Sequence, residues 1–228
     1  MKKTLSFTLL FTFLLSSLFS INISAVHPTS FEEYFEPFYN GGHSSYSIID
    51  LNGLDVTLSF LDETSSLYVN GNWDAISDYF NENVSEVSKI NINRYPQVAR
   101  GRELPKSTTI DYIVLRDIES TNNPLFNNSR IRVFYSLTYE LYYDEDTHQV
   151  VRALAPRMSN PSFEFVYPTS LYLQAIMSCS LNSAYANISS GQSSVEFYHS
   201  FNVSLHTTDI VVTDAHYGTI SSSYTMRV

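Results

Sequence analysis

Six histidines could serve as bases or metal ligands: His27, His43, His148, His199, His206 and His216. A metal site built on one element wants two of them at i, i+2 or i, i+4. No pair has that spacing, so neither a metal nor a cofactor is expected. Asp214-Ala215-His216 puts a carboxylate and an imidazole on one face of a strand, which suits a base with its orienting partner or two metal ligands. A solvated strand end is the alternative. Asp74 and Asp78 are the acids that general-base chemistry would use. Otherwise Asp74 caps a short helix after Trp73, and Asp78 faces solvent. Tyr68, Trp73 and Tyr79 could line a ligand pocket or fill a core. Asp144-Glu145-Asp146 lacks the Gly and the later Glu of a calcium loop, and reads as a charged hairpin tip. There is no G-x-S-x-G and no Gly-rich phosphate loop. The single cysteine, Cys179, rules out an intramolecular disulfide. It is either a buried apolar residue or one end of an intermolecular bridge.

Charge narrows the partners. The 228 residues carry a formal charge of −10, which argues against nucleic-acid binding, since phosphates need a basic surface. From Val26 to Ser88 there are eleven acids and no base; from Lys89 to Arg157 there are ten bases and eight acids. An acidic face and a neutral middle section follow, either solvated or meeting each other. The one basic segment, Arg94 to Lys106, is bracketed by Pro96 and Pro105. It could hold an anion, pair internally, or offer a protease-sensitive loop.

Residues 1–25 resemble a leader: Lys2-Lys3, an apolar run, then a small residue at Ala25. Cleavage near Ala25–Val26 makes the protein secreted, or periplasmic in a bacterium, with no membrane association afterwards. A retained membrane anchor is the alternative. Four N-x-S sequons follow, at Asn83, Asn127, Asn187 and Asn202. About that many are expected by chance in a chain this rich in Asn, Ser and Thr. They become glycosylation sites where the chain passes through a eukaryotic secretory pathway.

The elements that must position these groups change character along the chain. Ser30 and Glu33 have capping-box spacing, and Phe31, Tyr34, Phe35 and Phe38 form one helical face ending at Gly41-Gly42. A second helix is predicted from Leu54 to Val69, with Leu54, Leu58, Leu61, Ser65 and Tyr68 as its stripe and Gly71 as its positive-φ stop. Trp73, Ile76, Tyr79 and Phe80 start a third. Beyond them, Ile131 to Tyr143 alternates apolar and polar, and Val150 to Ala155 returns as a hairpin. Phe163, Phe165 and Tyr167 alternate again, as do Val195 to Leu205; Leu171 to Met177 is strand or helix. Ile210 to Thr213 and Gly218 to Val228 complete the strands. Phe134, Tyr142 and Tyr198 fall on otherwise polar faces, marking a second buried layer, a dimer interface or a ligand-facing surface. One domain is expected over 26–228, of α+β class, with N-terminal helices packed on a curved, mainly antiparallel β-sheet.

Residues Phe60 to Val84, FLDETSSLYVNGNWDAISDYFNENV, resemble the opening of NTF2-like (SnoaL-like) domains: a long helix, a Gly-Asn break, then a short helix ending in an aromatic and an acidic or amide pair. The resemblance would extend architecturally over about 50–180, with extensions at both ends. It implies a cone-like sheet wrapped round helices, an apolar pocket at the open end, and often a homodimer. Such domains act as enzymes, ligand binders or assembly modules, so the family does not fix the function. The expectation is a secreted, non-catalytic binding protein for a small apolar ligand or a protein partner. The alternatives are a cofactor-free isomerase or dehydratase using a pocket carboxylate or His, and a dimerising interaction module.

Overall fold

The computed structural model describes residues 30–92, 103–167, 175–207 and 213–228. The leader-like segment, the basic segment up to residue 102, and parts of two expected strands (171–174 and 210–212) lie outside the described residues.

Strand β5 (Arg130–Asp144) decides the architecture. Ile131, Val133, Tyr135, Leu137, Tyr139 and Leu141 are buried on one face, and Arg132, Phe134 and Ser136 are buried on the other. A strand buried on both faces needs a layer on each side. β5 sits in an antiparallel sheet with β1 (Tyr46–Asp50), β2 (Val84–Ile92), β3 (Glu103–Asp117) and β6 (Val150–Tyr167), in the order β1-β2-β3-β5-β6. Pro156 and Pro161 fit in β6 because it is an edge strand of that sheet. On one face lie three short helices, α1 (Phe31–Pro37), α2 (Thr57–Val69) and α3 (Trp73–Asn83). Their rings, among them Phe35, Phe60 and Phe80, form one core with Phe38, which follows α1, and with Ile113, Leu115 and Phe134 of the sheet. The opposite face is covered by a second antiparallel sheet, β4 (Ser120–Thr121), β9 (Thr213–Arg227), β8 (Ser194–Thr207) and β7 (Ala175–Ile188), ordered β4-β9-β8-β7. Between the sheets Tyr135, Tyr139, Phe197, Phe201 and Tyr217 pack as a second core.

The expected α+β cone is therefore corrected. The described residues are mostly antiparallel strand, with three short α-helices among them, and a second sheet closes the face that a cone would leave to a pocket. A period of two says that one face of a strand is buried, but not which layer buries it. The alternation in β8 reads the same whether it extends the first sheet or founds a second.

Locally the chemistry follows the residues. Ser30 Oγ accepts the Glu33 N–H at 3.3 Å, and Gly71 stops α2 at φ +68°. The second helix starts later than predicted, at Thr57. Asp50 Oδ1 accepts the N–H groups of Asn52 and Leu54, and Asp55 Oδ1 accepts the Thr57 N–H and hydroxyl, so the segment turns before it winds. Its predicted stripe holds only in part: Leu61 and Tyr68 pack against the helical core, but Leu54 and Leu58 are 63% and 67% exposed, and Phe60 and Thr64 are the fully buried residues. Lys106, expected in the basic loop, lies within β3.

Candidate functional site

The N-termini of α1 and α3 open onto β5 and β6 around a cleft of about 350 Å3. Its walls are Phe31 and Glu32 of α1, Trp73, Asp74 and Ser77 of α3, Arg132 of β5 and Glu164 of β6. Arg132 and Glu164 are register partners across the strand pair. The Arg132 guanidinium lies 4.3 Å from the Phe31 ring centroid and 5.6 Å from that of Phe80. Its Nε and Nη2 donate to Asn81 Oδ1 at 3.1 and 2.8 Å, Nη2 also donates to Ser77 Oγ, and Nη1 reaches Glu164 Oε2 at 3.4 Å. Arg130, two residues earlier, donates to the Asn81 carbonyl at 3.0 Å and pairs with Asp117. Arg130 thus sits at the C-terminal end of α3, where helix carbonyls favour positive charge.

Burial works against this ion pair on both sides. Burial of Arg132 lowers its pKa despite Glu164, and burial of Glu164 raises its pKa despite Arg132 and the Phe31 N–H that it accepts. Arg132 is fully engaged with Asn81, Ser77 and Glu164. Glu32 and Asp74, on the rim, have no ion-pair partner among the described residues. With the Phe31 ring covered by Arg132, the cleft presents the Trp73 ring and an excess of carboxylate.

The expected site residues separate. Trp73 and Asp74 line this cleft. Asp74 is not the helix cap: Asn72 Oδ1 takes that role, accepting the Ala75 N–H at 3.2 Å. Asp78 is exposed, and its charge acts on Arg132 from the next turn. Tyr68 stands behind Trp73, edge-on at 5.5 Å, and stacks on Tyr39 at 4.3 Å. Tyr39, raised to about 12 by burial, donates to or accepts from Thr64 Oγ1 at 2.8 Å. Tyr79 lines a different cleft of about 220 Å3, with Asp50, Val56 and Phe60. Asp214 and His216 share a face of β9 but do not pair. Asp214 Oδ1 bonds His206 Nδ1 at 2.7 Å, and His216 Nδ1 bonds Ser204 Oγ at 2.8 Å, both across to β8. No group of three potential metal ligands converges among the described residues. All four sequon residues, Asn83, Asn127, Asn187 and Asn202, are exposed. Cys179 is half-buried against the inter-sheet core.

Sequence reasoning missed Arg132, Glu164, Phe31 and Glu32. The signal for Arg132 was its place on β5 next to Phe134: a base on a polar face that also carries a buried ring needs counter-groups from the covering layer. It also missed Asp111 of β3, buried under α1 with its carboxylate held by Ser136 Oγ at 2.6 Å and Asn91 Nδ2 at 2.5 Å. Tyr34 donates to the Asp111 carbonyl at 2.9 Å, so this cluster fastens the helical layer to the sheet.

No family model, no curated protein and no solved structure matches the chain. The resemblance to NTF2-like domains stands on residues 60–84 alone.

Proposed function

We propose that the protein is an exported, non-catalytic binding protein whose Trp73–Asp74 cleft receives a cationic side chain of a protein partner. The observation that carries this is the Trp73 ring beside rim carboxylates, Glu32 and Asp74, that have no ion-pair partner among the described residues. Rings and carboxylates together favour an ammonium or guanidinium group. A small apolar ligand is less well served, because both interiors are packed with side-chain rings. Export rests on the leader-like residues 1–25, and none of the described helices is long and apolar enough to cross a membrane.

The test is titration calorimetry with a lysine-rich octapeptide and its glutamate-for-lysine counterpart. The basic peptide should bind, more weakly as salt rises, and Asp74→Asn or Trp73→Ala should each weaken it about tenfold, a loss of roughly 1.4 kcal/mol. Equal binding of the two peptides, or unaltered affinity in both variants, would sink the proposal.

A further inference from the structure

The outer face of the β7–β8–β9 sheet differs from the rest of the surface. Along β8 from Tyr198 to Ser204, and along β9 from Thr219 to Thr225, no residue is charged, in a chain of net charge −10. The side chains of this stretch are tied across strands. Asn202 Oδ1 accepts from Asn182 Nδ2 at 2.8 Å and from Thr219 Oγ1 at 2.7 Å. Ser221 Oγ accepts from the Tyr198 hydroxyl at 3.3 Å and donates to Ser200 Oγ at 3.2 Å. Beside this lattice Tyr185 of β7 stacks on Tyr198, centroids 5.1 Å apart and planes 26° apart, with Tyr185 46% exposed.

We propose that this face docks an uncharged oligosaccharide. A sugar ring offers an apolar C–H patch for an aromatic ring and several hydroxyls for amides and hydroxyls, which is the mixture present here. Both hydrogens of Asn202 Nδ2 remain to donate, since its bonds within the lattice are made through Oδ1. On this stretch, bounded by Glu196 and Arg227 beyond its ends, a neutral ligand has no ion to desolvate, whereas an anion would meet no cation and a cation has the acidic cleft on the other side of the molecule. The lattice also holds its side chains in place beforehand, which lowers the ordering cost of binding. Seven residues of β8 span about 20 Å, room for several sugar rings.

The test uses the full protein made without N-glycans, because Asn187 and Asn202 lie on the same face. Cellohexaose, chitohexaose and maltohexaose are the probes, with a heparin oligosaccharide as the charged control. At least one neutral hexasaccharide should bind, with affinity unchanged at high salt and unchanged in Trp73→Ala. Tyr185→Ala and Asn202→Ala should each weaken it at least fivefold, and Tyr185→Phe should retain it. The proposal is overturned if no neutral probe binds, if heparin binds better than all three, or if Tyr185→Ala and Asn202→Ala both leave affinity intact. Trp73→Ala separates this result from that of the cleft.

Discussion

Replacing Arg132 by Leu tests how the helical layer is held to the sheet. The guanidinium bonds Asn81 and Ser77 of α3, pairs with Glu164 of β6 at 3.4 Å, and packs on Phe31 of α1. One side chain therefore joins two helices and two strands. Leucine leaves Asn81 Oδ1 without its donors and Glu164 without its cation. Removing one partner of a buried pair costs about 3–5 kcal/mol. Glu164 keeps 34% of its side-chain exposure, so its unpaired charge remains partly hydrated, and the lower end, about 3 kcal/mol, is expected. For a chain of this length that corresponds to a fall in Tm of roughly 6–12 °C. Urea unfolding followed by the fluorescence of Trp73, the single tryptophan, reads the cleft, and far-UV circular dichroism reads the whole fold. Both should shift together to a lower midpoint with the slope unchanged. The double variant Arg132→Leu/Glu164→Gln should recover part of the loss, because the uncompensated carboxylate is gone. A loss below about 1 kcal/mol in the single variant, or a double variant less stable than the single, would refute this account of the layer.

The Glu86 carboxylate on β2 makes no hydrogen bond among the described residues, and its burial raises its pKa more than nearby Arg116 lowers it. A raised folded pKa means stability that is fully present below the ordinary glutamate value and lost as pH rises through the raised one. Glu86→Gln should therefore raise the urea midpoint at neutral pH and flatten its decline between acid and neutral pH; a variant less stable than the parent at neutral pH contradicts this. Phe134→Ala, which empties a ring position under the helices, should cost about 3–5 kcal/mol in the same assay, and a cost near that of a surface change would mean the second buried layer is loosely packed. Asp55→Ala, which removes the acceptor of the Thr57 N–H at 2.9 Å, should cost about 1 kcal/mol, and no change would show that α2 starts without it.

Strand content was legible wherever one face is wet, because alternation survives in β8 and β9. Helix ends were legible where a capping hydroxyl or a positive-φ glycine makes them, at Ser30 and Gly71. What alternation cannot carry is the assignment of a strand to a layer. Of the three rings on otherwise polar faces, Phe134, Tyr142 and Tyr198, only Phe134 is buried, and alternation alone leaves a buried layer, a dimer interface or a ligand surface open for all three. The buried face of α2 was misjudged because Leu54 and Leu58 fit a helical stripe that begins before the Asp50 and Asp55 turns allow a helix. Of the site, Trp73 and Asp74 were visible as a ring and an acid opening a helix. Arg132 and Glu164 were invisible because their meeting depends on a register between β5 and β6 that no local pattern states.

The charge partition along the chain explains why two unlike surfaces arise. Helices α1, α2 and α3 carry eight acids and no base. The sheet beneath offers Arg130 and Arg132, but Arg130 is taken by Asp117 and the Asn81 carbonyl, and Arg132 by Glu164, Asn81 and Ser77. These cations hold the helices down through carbonyls, amides and acids of the sheet, and Glu32 and Asp74 of the helices have no ion-pair partner among the described residues. The negative surface of the helical layer is thus a consequence of how that layer is fastened. A cationic partner is attracted to that side whatever its detailed fit. The β7–β8–β9 face, whose residues from Tyr198 to Ser204 and from Thr219 to Thr225 are uncharged, exerts no such pull, and selects by hydrogen bonds and ring contact alone.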